Sequence, residues 1–233
     1  MTLIDILLRW SEVWALLIPL IVILVFRPKG RIVSWLIVYV IFAFLFNTIA
    51  ITMIEDYTLL PSFLALDEGN NLYYNLHSLL MVICFSGYII SVRTYQYPKF
   101  LKGLLIAYIL FVPINFIFVE RVLFLSTLHF TVGSIVLLII CLFYFFRSIL
   151  DDENATDWLK HPSFLICSGL SLYQVITFFI FLFIYPIYNK NINKDMEFAD
   201  AMMYVYQGIF VIFCILLAIG LYRHSRLNKK GAA

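Results

Sequence analysis

The chain has 233 residues, a formal net charge of +2, 64% hydrophobic residues and only 13% charged ones. A soluble domain carries about 45–50% apolar and about 25% charged residues, so a soluble globular fold is excluded, and the small net charge gives no ground for a nucleic-acid partner. The apolar residues fall in blocks of about 20, the length that crosses ~30 Å of hydrocarbon, and the alternation of a lipid-facing β-barrel is absent.

The chain is therefore predicted to be an all-α membrane protein, a seven-transmembrane-helix bundle forming one domain over residues 1–230. The expected spans are 7–26, 32–54, 72–92, 101–119, 126–147, 163–187 and 200–222. The first block is read as a span and not a cleavable signal: Asp5 and Glu12 stand where a basic segment and a plain apolar run belong, and no small-x-small site precedes Arg27. Lys and Arg set the orientation. With the N-terminus outside, twelve fall in inside segments (Arg27, Lys29, Arg31; Arg93, Lys99, Lys102; Arg147, Lys160; Arg223, Arg226, Lys229, Lys230) and four outside (Arg9, Arg121, Lys190, Lys194). The expectation is an outside N-terminus and a cytoplasmic C-terminus.

In the first span, Asp5, Arg9 and Glu12 are spaced to pair along one helix face near the rim. The loop 27–31 is short, which makes the first two helices antiparallel neighbours. The second span carries Asn47, Thr48 and Thr52 in its outer half. The outer loop 55–71 is acidic at both ends with an apolar middle around Pro61, which fits either a lid over the helix ends or a loop lying at the interface. In the third span, Asn71, Tyr74, His77 or Ser78, Met81, Phe85 and Tyr88 share a face. The fourth contains Pro113, which removes a backbone hydrogen bond, and Asn115. The fifth places Ser126, His129 and Gly133 together. The inner loop 148–162 holds Asp151, Asp152, Glu153, Asp157 and Trp158, a solvated segment or a partner's docking site. The sixth span aligns Ser171, Gln174 and Thr177, with Gly169 allowing close helix approach. The seventh aligns Tyr204, Gln207, Val211, Cys214 and Ala218, and a basic tail stops it at the cytoplasmic surface. Gly231-Ala232-Ala233 reads as an appended scar.

The polar residues cluster in the outer half, and the inner half reads as almost wholly aliphatic and aromatic. Polar side chains in hydrocarbon need partners. Two arrangements supply them: interhelical hydrogen bonds that only hold the bundle, or an outward-facing cavity. The candidate ligand-binding residues are His77, Tyr74, Asn75, Asn47, His129, Gln174, Tyr204 and Gln207, all in hydrogen-bonding roles. No catalytic or metal residues and no cofactor are assigned. Cys84, Cys141, Cys167 and Cys214 lie within apolar blocks at spacings that fit neither a metal motif nor a disulfide framework. Retinal chemistry lacks its lysine in the seventh span. A three-histidine zinc hydrolase finds only His77 and His129 in spans, leaving two histidines plus Glu12, Glu120 or Asp200 as a weak substitute. Hydrolase, zincin and phosphate-loop motifs are missing. The topology is that of G-protein-coupled receptors without their sequence motifs, and topology alone carries no function.

Three stretches carry a family likeness: Asn70-Asn71-Leu72-Tyr73 before the third span; Lys160-His161-Pro162-Ser163-Phe164-Leu165-Ile166-Cys167-Ser168-Gly169-Leu170-Ser171-Leu172-Tyr173; and Leu217-Ala218-Ile219-Gly220-Leu221-Tyr222-Arg223. Together they resemble a group of uncharacterised seven-helix inner-membrane proteins of Bacteroidota of about this length. In that group the sixth-span motif often reads Pro-x-Phe-Trp-Ile-Asn-Ser-Gly, where this chain has Leu165 and Cys167 for the Trp and Asn. The resemblance implies a multi-pass protein of the bacterial inner membrane, in the neighbourhood of sensor kinases. The leading expectation is a receptor-like or sensory protein that binds a small or amphipathic ligand, or senses membrane lipid, and reports to a cytoplasmic or membrane signalling partner. A transporter or channel comes second, and a metal-dependent lipid hydrolase third.

Overall fold

A computed structural model describes residues 10–56, 70–92, 99–150, 161–184 and 196–230, and every element in them is helical. In chain order these are α1 (Ser11–Phe26), α2 (Arg31–Asp56), α3 (Asn71–Val92), α4 (Lys99–Phe118), α5 (Thr127–Leu150), α6 (Pro162–Phe179, running on as a π-helical turn over Ile180–Ile184) and α7 (Met196–Lys230). Helix is what such sequences must form in lipid, because every backbone N–H and C=O has to be satisfied within its own segment. Six of the helices are long and apolar enough to cross a membrane. The described part of α1 has 16 residues, about 24 Å, and is the shorter, seventh apolar helix. The architecture is that of a multi-pass helical membrane bundle.

The principal contacts run α1–α2, α2–α3, α3–α5, α5–α6, α6–α7 and α7–α1. They close a ring of six helices. α4 packs mainly on α5, outside that ring, and turns Phe100, Ile106, Leu110, Ile114 and Ile117 outward. The ring's centre is filled by aromatic side chains. Phe85 of α3 meets Tyr39 of α2 (4.8 Å between centroids) and Phe213 of α7 (5.5 Å), and Tyr173 of α6 stacks on Phe213 at 5.5 Å.

Glycine sets the closest helix approach. A Cβ on Gly220 would lie 2.5 Å from Cγ1 of Ile166, so α7 touches α6 where only hydrogen fits. Gly169 makes the reciprocal contact, 3.0 Å from Cβ of Leu216, as its sequence context predicts. Between α1 and α2, Arg27 ends its helix in the left-handed conformation (φ 46°) and its N–H bonds Ile23 O.

One sequence expectation is corrected here. α7 runs to Lys230, not to 222, and at 35 residues it is about 52 Å long. The basic tail therefore extends the helix instead of stopping it at the surface. α4 continues through Pro113 to Phe118; the proline side chain is exposed and its missing N–H does not end the helix. The lid segment around Pro61, the acidic part of the 148–162 loop, Asp5 and Arg9, and residues 231–233 lie outside the described residues.

Candidate functional site

The ring brings hydrogen-bonding side chains together in three places. The first is the core between α3, α5 and α6. A small cavity there is lined by His77, Ser78, Met81, Ser134, Tyr173, Gln174 and Thr177, with Val82, Phe130, Gly133 and Leu137. Its volume is 10 Å³ measured to the centre of a water molecule, which is room for about one water. Gln174 donates from Nε2 to the Met81 sulfur at 2.9 Å across it, and Ser134 Oγ is buried with no hydrogen-bond partner. His77 stacks on Tyr39 (5.8 Å) and its Nε2 lies 3.2 Å from the Tyr39 hydroxyl. Tyr173 joins its hydroxyl to that of Tyr206 at 2.5 Å, which carries the network from α6 to α7. Glu12, at the start of α1, is 9% exposed.

The second place is the end of the bundle that holds the 119–126 connection. Asn75 is fully buried on α3. Its Nδ2 donates to Val122 O and Phe124 O, both at 2.8 Å, and its Oδ1 accepts from Ser126 N at 3.2 Å. His129 approaches the Asn75 carbonyl through Nε2 (3.2 Å) and the Tyr108 hydroxyl through Nδ1 (3.1 Å). A carbonyl only accepts, so Nε2 carries the hydrogen and Nδ1 takes the tyrosine proton. Glu120 caps the start of α5, accepting from Ser126 Oγ, Thr127 Oγ1 (3.0 Å), Leu128 N (3.1 Å) and Asn115 Nδ2 (3.2 Å). Burial works to raise its pKa, but these hydrogen bonds favour the carboxylate and hold it below the ordinary 4.5.

The third place lies at the opposite end. The Tyr88 hydroxyl sits 2.8 Å from Ser163 Oγ and 2.9 Å from His224 Nε2, and His161 at the start of α6 is 6.4 Å from the His224 ring. The inner half is expected from the sequence to be almost wholly aliphatic and aromatic, and this polar cluster is what that expectation leaves out. Tyr88 counts as an aromatic by composition, and Ser163 and His224 fall at or beyond the ends of the predicted spans. The available signal was three hydrogen-bonding residues at the matching ends of the third, sixth and seventh spans.

The eight candidate ligand residues therefore do not share one void. His77 and Gln174 line the cavity. Tyr74 is half-buried on α3. Asn47 is fully buried with neither amide atom hydrogen-bonded, and Gln207 is half-buried with a buried, unbonded Oε1. Asn75 and His129 are occupied with the 119–126 connection and with Tyr108. Tyr204 is corrected: it is 46% exposed on the outside of α7. The inward stripe of α7 is Tyr206, Phe210, Phe213, Cys214, Leu217 and Leu221, and a residue two positions from Tyr206 is about 200° around the helix. Tyr173 lines the cavity but is not among the eight candidates; in the sequence it reads as one more aromatic in an apolar span. Among the described residues no group of three or more His, Cys, Asp or Glu could hold a metal ion, and the four cysteines are buried and unpaired.

Compared with family models, with curated proteins and with solved structures, the chain matches none; its functional reading rests on the geometry above.

Proposed function

We propose that this protein is a receptor-like or sensory integral membrane protein whose polar centre binds a small or amphipathic ligand. The N-terminus lies outside and the C-terminus in the cytoplasm of a bacterial inner membrane, and binding is relayed to a cytoplasmic or membrane partner. What carries this reading is the cavity between α3, α5 and α6, where His77, Gln174, Thr177, Ser134 and Tyr173 converge. Among the residues that line it, Ser134 keeps a buried hydroxyl with no hydrogen-bond partner, a group that a bound molecule would satisfy. A cavity with room for one water is too small for a ligand, so binding parts α3 from α6. That displacement, passed along α6 and α7, is the signal.

The test is a thermal-stability screen of purified protein in lipid nanodiscs against small cationic, anionic and neutral amphiphiles. At least one class should stabilise the protein, and His77→Phe and Gln174→Leu should lose the effect while melting normally without ligand. If no class stabilises it, the reading fails.

A transporter is favoured by one observation, the Tyr88–Ser163–His224 cluster at the inner end. Along α3 the buried ring of Phe85 separates Met81 of the cavity from Tyr88 of that cluster. Flux in proteoliposomes would decide for it.

A further inference from the structure

One hydrogen bond at the cavity is poorly matched. Gln174 on α6 donates from Nε2 to the Met81 sulfur on α3 at 2.9 Å. A thioether is a weak acceptor, so this buried amide is held well below its usual strength. A second group has no bond at all: Ser134 on α5 is 1% exposed, and its Oγ has no partner. Both residues line the same void, which has room for about one water. Three other polar side chains of the lining are engaged. Thr177 Oγ1 donates to Tyr173 O at 2.8 Å, the Tyr173 hydroxyl meets that of Tyr206, and His77 Nε2 faces the Tyr39 hydroxyl. Two donors from two helices, one underused and one unused, therefore border a space that holds a single oxygen atom.

We propose that this cavity binds an uncharged ester, amide or ketone through its carbonyl oxygen, which accepts from Gln174 Nε2 and Ser134 Oγ together. The proposal rests on the ligand-binding reading above and names the ligand class. A carbonyl oxygen has two lone pairs, so it takes both donors. It also replaces sulfur as the partner of Gln174, a stronger acceptor for a weaker one. Both donors are neutral dipoles, which suit a carbonyl dipole; a carboxylate loses far more on leaving water. Val82, Phe130, Gly133 and Leu137 make the apolar part of the lining and face the ligand's hydrocarbon. Met81 supplies the room. Once its sulfur is released, its unbranched side chain can turn about three bonds, and the tie between α3 and α6 is undone at the same moment.

The experiment uses the full chain in nanodiscs, with empty nanodiscs as the blank. Methyl nonyl ketone, methyl decanoate and decanamide are titrated while the melting midpoint is followed. Undecane, decanoate and decylammonium are the comparison compounds, and acetone and N-methylacetamide repeat the carbonyl without the tail. At least one carbonyl compound should bind saturably, with no comparable effect from undecane or either ion. Binding confined to the long-chain compounds assigns a ligand from the bilayer; binding of the short ones assigns one from water. An isotope-labelled carbonyl in the bound ketone should absorb at lower infrared frequency than the same ketone in lipid, because two donors weaken its double bond. Ser134→Ala and Gln174→Leu should each weaken binding by about fivefold to tenfold and move the band back toward its lipid position. Met81→Leu, which removes the competing sulfur at nearly constant volume, should bind the ketone as tightly as the parent or more so. Should Ser134→Ala or Gln174→Leu fail to fold, the ketone–alkane comparison and the infrared band of the parent protein still decide. Equal effects of ketone and undecane, tighter binding of either ion than of the ketone, or an unshifted band overturns the carbonyl assignment. A His77- and Gln174-dependent response to a charged amphiphile alone also overturns it while leaving the binding reading intact. Silence from every class removes both.

Discussion

Removing the Asn75 side chain separates a structural polar residue from a ligand contact. Asn75→Ala deletes three hydrogen bonds at once, two donated to the carbonyls of Val122 and Phe124 and one accepted from Ser126 N. The bond from His129 goes to the Asn75 backbone and survives. At a net ~1 kcal/mol per bond the loss is about 3 kcal/mol. The two carbonyls lie on half-exposed to exposed residues and can recover water, whereas Ser126 is fully buried and its N–H cannot. The expected loss is therefore about 2–3 kcal/mol. It should be read as a lowered midpoint in denaturant titration of the detergent-solubilised protein, with proteolysis within 119–126 accelerated. Asn75→Asp should be at least as damaging, because a carboxylate can accept from Ser126 N but cannot donate to either carbonyl. A change below about 0.5 kcal/mol, or a ligand-response defect with unaltered stability, would refute the claim that Asn75 serves the connection and not the ligand.

Glu120 gives a pH dependence whose sign follows from its environment. Its folded pKa lies below the ordinary 4.5, so its contribution is fully present above about pH 4.5 and is lost as pH falls through the lower folded value. Melting of the parent should fall in that acidic window, and Glu120→Gln should flatten this part of the profile; an unchanged profile would show that the cap is not charge-dependent. Asn47→Leu replaces a buried amide with no partner by an apolar group of similar size, so stability should hold or rise; a loss above about 1 kcal/mol would reveal a partner for the amide. Gly220→Val puts side-chain atoms where even a Cβ would stand 2.5 Å from Cγ1 of Ile166, and should cost about 1–3 kcal/mol by overpacking. Ile166→Ala in the same background should return part of that loss, and no rescue would place the strain elsewhere. Tyr88→Phe removes the hydroxyl shared by Ser163 and His224 and should destabilise by about 1 kcal/mol, measured as a midpoint shift that is not additive with His224→Ala.

Composition and block length were enough to determine a membrane bundle, because hydrocarbon permits a backbone few ways to satisfy itself and helix is the local one. The helix positions came with it, within a few residues at most ends. So did the close approach at Gly169 and the burial of His77, His129 and Gln174, since polar residues in a span must turn inward. What one-dimensional spacing could not decide was the order of helices around the ring. Periodicity reports which face of a helix is apolar, and in lipid the outer face is as apolar as the inner one, so the inward stripe of α7 was misplaced and Tyr204 with it. Only the tertiary arrangement put α4 outside the ring, turned Asn75 toward the 119–126 connection, and joined Tyr88 to His224 across 136 positions of chain. Each depends on which helix stands next to which, a choice made by packing among apolar surfaces whose sequences look alike.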